Sequence, residues 1–274
     1  MIPNLPKPVE EVYGPVGNVY YENSSADGFA FQGFARAKTG LDYSRYLRAI
    51  IDRNFSLNKS QKIKRTGISV PKDNQYIYTI WTCIEFLREI GEIDAINSLM
   101  NIVNNIGTYP DGVMRYCSSE IKYKVPNTTS AAALLYAWND EESKSIALVD
   151  VMRKTQSRGN WRYRAKKGKK WIPSKEEDNF HLAMIIYHLR SIEKYSGVQT
   201  HDIVEKALER LKSYNKEGIK VGRIKWAIPM VYAATCGLDH NLEETSFKEL
   251  VDIAIKDDNF RVRGMSAWAL TRWL

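Results

Sequence analysis

Few local signatures of chemistry occur in these 274 residues. There is no Walker loop, no GxGxxG, no HExxH, no GxSxG elbow and no paired-cysteine zinc motif, which sets aside ATPases, dinucleotide oxidoreductases and zinc proteases. Cysteine is scarce. Cys83, Cys117 and Cys236 stand apart from one another, so they form neither a disulfide framework nor a metal site; no cofactor or metal is expected, and a reducing compartment fits. Long apolar runs are missing too. The most apolar stretch, residues 226–238, is too short for a bilayer, and the opening MIPNLPKPVEEVYGPVG has prolines and acids where a signal peptide needs an apolar core. A soluble, cytoplasmic chain without membrane partners is the expectation. Nor does any Gly/Ser/Pro-rich linker interrupt the chain after its first two dozen residues, which implies one domain over 1–274 with residues 1–25 irregular.

What is present is a basic chain of two alternating kinds of helix. The formal charge of +8 and pI near 9.2 favour acidic partners: nucleic acid, an anionic polysaccharide or a phosphorylated small molecule. One kind of helix is amphipathic. Ile93, Ile96, Leu99, Met100, Val103 and Ile106 fall at helical spacing with Asp94, Asn97, Asn101 and Asn105 opposite, and similar stripes cover residues 43–51, 143–152, 201–211 and 245–255. Between these lie GFAFQGFARA, YIYTIWTCIEFL, SAAALLYAW, FHLAMIIYHL, WAIPMVYAATCGL and GMSAWALTRWL, apolar on nearly every face. A helix of that kind must be surrounded by protein. The order inner, outer, inner, outer, at a period of roughly 50 residues, predicts an all-α ring of helical hairpins: six inner helices beginning near residues 28, 75, 128, 178, 225 and 261, sheathed by five outer ones.

Each inner segment opens on polar residues suited to capping: Asp73-Asn74, Asn127-Thr128-Thr129, Asp178-Asn179 and Asp258-Asn259. Alternating aromatic and basic residues predict short β-hairpins over residues 112–127 and 159–173, with a shorter relative over 217–226. In a ring these loops share one mouth.

The stretch QSRGNWRYR followed by EEDNFHLAMIIYHL, and before it YPDGVMRY followed by VPNTTSAAALLYAW, resembles the repeat of the α/α-toroid superfamily, which includes terpene cyclases, protein prenyltransferase subunits, polysaccharide lyases and glycan-modifying enzymes. The resemblance covers residues 105–240 and implies an incomplete (α/α)6 barrel. It implies no isoprenoid chemistry: Gln156, Gly159 and Trp161 stand one residue too close for the cyclase motif, no DxDD exists, and Cys236, Asp239 and His240 do not reproduce a prenyltransferase zinc site. The C-terminal IKDDNFRVRGMSAWALTRWL resembles a single HEAT-repeat helix, which implies a binding scaffold.

At the mouth of such a ring the sequence places aromatics, amides and cations that suit a saccharide: Arg115, Asn127, Trp161, Arg162, Asn179, Lys225 and Trp226 as binding residues. For chemistry, Asp73 and Asp178 could face one glycosidic bond, and Tyr116, Tyr163 or His181 could take the proton in uronate elimination. His181 is expected beside Asp178 in the first turn of an inner helix, whereas His188 lies two turns deeper and reads as a core residue. The run 158–175, with Arg158, Arg162, Arg164, Lys166, Lys167, Lys169, Lys170 and Lys175 and no acid, would also attract a polyanion. Two functions are consistent with these residues: binding and cleavage of an oligosaccharide by hydrolysis or elimination, or a non-catalytic basic scaffold for nucleic acid or protein.

Overall fold

A computed structural model describes residues 26–54, 77–116, 123–162, 164–167, 170–173, 179–216, 224–257 and 259–273. Its described helices, in chain order, are α1 (Ala26–Lys38), α2 (Ser44–Asn54), α3 (Ile77–Ile90), α4 (Ile93–Ile106), α5 (Pro126–Trp138), α6 (Glu142–Thr155), α7 (Asn179–Ser196), α8 (His201–Lys216), α9 (Ile224–Thr235), α10 (His240–Lys256) and α11 (Phe260–Thr271). The odd-numbered helices pack each on the next, and α11 packs back on α1, so the inner ring closes. Each of α2, α4, α6, α8 and α10 lies against the inner helix that precedes it. This is an α/α toroid, and its inner helices start within two residues of the positions read from the sequence.

Burial explains the alternation. In α5 every residue from Asn127 to Trp138 is buried, so no amphipathic stripe is possible. Outer helix α4 buries Ile96, Leu99, Met100, Val103 and Ile106 and exposes Asn97, Ser98, Asn101, Asn104 and Asn105. Each such buried aliphatic side chain contributes about 2 kcal/mol of transfer free energy. At the seam between α11 and α1 the backbones approach closely: a Cβ on Gly264 would lie 3.0 Å from the Gly28 carbonyl oxygen. Asp27 of α1 and Arg261 of α11 form an ion pair across the same seam.

The axis of the ring is filled, not open. Phe31, Trp81, Tyr187 and Trp268, from four different inner helices, meet there with centroid separations of 5.1 Å for Phe31–Trp268 and Tyr187–Trp268 and 5.8 Å for Trp81–Tyr187. Such tilted and edge-to-face contacts suit the ring quadrupoles. Nearer the C-terminal ends of the inner helices, Arg272 pairs with Glu85, and the Tyr187 hydroxyl bonds to both. Arginines also satisfy carbonyls that helix ends leave unpaired: Arg190 of α7 donates to Ala234 and Cys236 at the end of α9, at 2.8 and 2.9 Å.

At the opposite end, where the inner helices begin, a small antiparallel sheet runs β1 (Tyr123–Lys124), β2 (Arg164–Lys167), β3 (Lys170–Pro173). The hairpin expected within residues 159–173 is β2–β3. Of the hairpin expected over 112–127, residues 117–122 lie outside the described residues; Tyr123 and Lys124 pair with Ala165 and Arg164, and Thr108 and Met114 form an isolated bridge. Pairing β1 on β2 satisfies an edge that a lone hairpin leaves open. The expected cap at 127–129 also moves inward. Val125 precedes α5 without a side-chain cap, and Asn127, Thr128 and Thr129 lie within the first turn. Asn259 does cap α11, its Oδ1 accepting from the Arg261 and Val262 amides at 3.0 and 3.3 Å. The segment 217–223 lies outside the described residues. No helix among the described residues is long and apolar enough to cross a membrane.

Candidate functional site

The motif QSRGNW leaves α6 through a two-residue turn in which Ser157 and Asn160 exchange backbone hydrogen bonds at 2.8 and 3.0 Å. Arg158 and Gly159 both have positive φ, 53° and 76°, as a primed hairpin turn demands. Only glycine fits the second position, because a Cβ there would lie 2.1 Å from the Lys206 carbonyl oxygen of α8. The flanking side chains fasten the turn. Gln156 donates to Ile203 O at 2.8 Å, Asn160 to the Tyr214 hydroxyl at 2.8 Å, and the Trp161 indole to Met152 O at 2.7 Å. One repeat earlier, the turn around Tyr109 and Gly112 meets Val151 of α6 in the corresponding way.

Beside this turn lies a cavity of about 540 Å³. Its walls come from the first turn of α5 (Pro126, Thr129), the last turn of α6 (Met152, Thr155), the turn itself (Ser157, Arg158), Trp161 and Arg162, and the sheet (Lys124, Arg164, Trp171), with Val113 completing it. Four cations and no carboxylate line it among the described residues. Lys124 is enclosed, only 6 % exposed: its ammonium sits 4.7 Å from the Tyr109 ring centre and 4.8 Å from that of Trp171, and it pairs with Asp111 at 2.5 Å. Arg164 approaches the same carboxylate at 3.6 Å. Arg158 and Arg162 are exposed. The cavity lies within the size range of small-molecule sites and combines aromatic walls with cationic donors.

Of the residues nominated from sequence, Trp161 and Arg162 line this cavity. Trp161 is 5 % exposed with its indole N–H satisfied, so it forms a wall and anchors the turn. Arg115 lies with its guanidinium 5.5 Å from the Tyr109 ring centre, and the carbonyl of Tyr116 accepts from the Ile77 amide at 3.2 Å, at the start of α3. Asn127 is buried towards α7, where its amide lies 3.2 Å from the Met184 sulfur. Asn179 and His181 are half-buried in the first turn of α7, the His181 ring edge-on to Phe180 at 5.1 Å. Lys225 and Trp226 belong to the first turn of α9. Asp73, Tyr163 and Asp178 lie outside the described residues. No cluster of His, Cys, Asp and Glu suited to a metal occurs among the described residues.

Three further groups were not nominated. Asp27, 1 % exposed, pairs with Arg261, whose guanidinium lies 5.4 Å from the Tyr78 ring centre, all in first turns of inner helices. Burial pushes the Tyr78 hydroxyl well above its ordinary value, so it stays protonated at neutral pH. Lys124 carries no signal of a site in the sequence, because its meeting with Trp171 depends on β1 joining a hairpin forty residues away. His188 is fully buried, as expected of a core residue; its Nδ1 lies 2.9 Å from Ser130 Oγ, and the Trp81 ring centre is 4.4 Å away. Burial lowers its pKa to about 3. With Ser130 donating to Asn127 O, the Nδ1–H tautomer donates to Ser130 and leaves Nε2 as an acceptor.

Comparison with solved structures finds a family 76 glycoside hydrolase from a bovine Bacteroides thetaiotaomicron strain, with a TM-score of 0.57, at 9 % sequence identity, over 90 % of this chain and 68 % of that one. The likeness is one of fold. No family model matches the chain, and no curated protein does.

Proposed function

We propose that this chain is a carbohydrate-active protein that binds an oligosaccharide in the cavity between α5, α6 and the sheet and cleaves it at the adjoining starts of the inner helices. The observation that carries the reading is the cavity itself: about 540 Å³, walled by Trp161 and Trp171 and edged by arginines, at the end of the ring where the inner helices begin. The exposed part of the half-buried Trp171 ring accepts the apolar C–H face of a pyranose, while guanidinium groups and Thr or Ser hydroxyls bind its oxygens. The toroid shared with a glycoside hydrolase is consistent with that use, although fold alone does not confer function.

Cleavage falls to residues at the neighbouring helix starts. His181 opens α7, with Asp178 adjoining it in sequence, and supplies an acid or base; Tyr116 is the second candidate for a proton acceptor. Incubation with a panel of polysaccharides tests the reading. Hydrolysis releases reducing ends without new ultraviolet absorbance, whereas elimination creates a conjugated, absorbing unsaturated uronate. His181→Ala and Asp178→Asn should each remove turnover with little change in melting temperature. Full turnover in both variants would move the reaction centre elsewhere, and no product or binding from any saccharide overturns the reading.

A further inference from the structure

Trp171 reaches the cavity wall from a sheet with little hold on the ring. β1 offers two residue pairings, to Ala165 and Arg164, and among the described elements the strands pack on one another and on no helix to a comparable extent. Ile172, next to Trp171 on the opposite face of β3, is 43 % exposed. A small sheet without a packed face is marginal on its own. What ties Trp171 down is a cluster drawn from three segments. The Lys124 ammonium of β1 lies over the Trp171 ring, 4.8 Å from its centre, and over the Tyr109 ring at 4.7 Å. Asp111 pairs with that ammonium at 2.5 Å, and the Tyr109 and Trp171 rings meet edge to face at 5.3 Å. Tyr109 and Asp111 belong to the turn that leaves α4, which meets Val151 of α6 at Gly112. An ammonium as enclosed as that of Lys124 costs free energy unless its partners replace water, and here a carboxylate and two ring faces do so.

Resting on the carbohydrate reading above, we infer that Lys124 is a positioning residue: it pins the Trp171 ring at the angle in which the exposed part of the ring faces the cavity and takes the sugar. Asp111 and Tyr109 act through Lys124, and Lys124 acts through Trp171. Because Lys124 also lines the cavity, direct contact with the ligand is the alternative. The two differ in a double-mutant cycle, since a positioning residue has nothing left to position once the ring is gone.

The full chain labelled with fluorotryptophan reports on the ring by fluorine NMR, the Trp171 signal being assigned from its loss in Trp171→Phe. Lys124→Met keeps the stem and removes the cation. It should shift and broaden the Trp171 signal and leave those of Trp81 and Trp268, on the axis, in place. Asp111→Asn, outside the cavity wall, should do the same more weakly. Titration calorimetry with cellohexaose, chitohexaose and an oligogalacturonate then reads the consequence. For whichever of these binds, Lys124→Met should weaken affinity at least about threefold and Lys124→Arg should recover part of the loss. In a Trp171→Ala background Lys124→Met should have no further effect. If Lys124→Met lowers the melting temperature and moves every tryptophan signal, Asp111→Asn carries the test, because its side chain is exposed. A Trp171 signal unmoved in both variants overturns the inference, and so does a loss of affinity by Lys124→Met that persists undiminished without Trp171. A displaced signal with no binding of any probe upholds the pin while the carbohydrate reading falls.

Discussion

The side-chain amide of Asn160 donates to the Tyr214 hydroxyl at 2.8 Å, which fastens the turn that walls the cavity to the outer helix of the following repeat. Its Oδ1 meanwhile accepts from the Trp161 amide at 2.7 Å. Asn160→Ala removes both bonds in a buried setting and should cost about 1–3 kcal/mol. Gly159→Ala should cost at least about 2 kcal/mol, since it combines a left-handed backbone with a clash against Lys206 O. Denaturant unfolding of the two variants measures both. Wild-type stability in Gly159→Ala would mean that the turn does not press on α8.

His188 makes stability depend on pH in a stated direction. Its folded pKa of about 3 lies below the reference 6.5, so the unfolded state binds the extra proton. The contribution is whole above the unfolded value and is lost progressively as pH falls from there towards the folded one. Between the reference value and about pH 5 the loss is roughly 2 kcal/mol. His188→Gln should flatten the stability profile across that window, and an unchanged profile would place the pH dependence elsewhere.

The Glu85–Arg272 pair is buried with Tyr187, and burial is the largest influence on Glu85, pushing its carboxyl upward against the opposing guanidinium. Arg272→Met strands that carboxyl and should cost about 3–5 kcal/mol, most of it recovered by adding Glu85→Gln. A raised folded pKa means that the folded state binds more protons. The single variant should therefore gain stability as pH is lowered, with a slope opposite to that from His188. A double-mutant cycle with no coupling would separate the two residues.

At the seam of the ring, Gly264→Ala places a methyl group 3.0 Å from the Gly28 carbonyl oxygen and 3.1 Å from the Gln32 side chain. Both belong to α1, so α11 must shift to accommodate it. A loss of about 1–3 kcal/mol is expected, although alanine favours helix more than glycine does. Faster amide exchange should follow in α1 and α11 and not in α6. A stabilised variant would show that the seam has slack.

The ring was legible because burial writes a local pattern. A helix such as α5, enclosed by neighbours on every side, needs apolar or small residues at all positions, and one such as α4 needs them on one stripe, so inner and outer alternate in the sequence itself. The turn at Arg158-Gly159 was marked only by the resemblance of QSRGNWRYR to the toroid repeat, although its backbone requirement is met within a few residues.

The cavity was not. Lys124 comes from the connection between α4 and α5, Trp161 and Trp171 from that between α6 and α7, and whether an aromatic of an alternating strand faces a ligand, a lysine or the helix beneath depends on strand register and on which edge is paired. Trp161 and Trp171 look alike as residues of one basic hairpin, yet one is a buried strut and the other covers Lys124. The sequence by itself determined a closed set of helical hairpins with basic loops at one end, because helical periodicity and side-chain transfer free energies act over a few residues. Tertiary structure decided where those loops leave a space and which charges line it, because contacts between segments forty or more residues apart are set only by the packing of the whole ring.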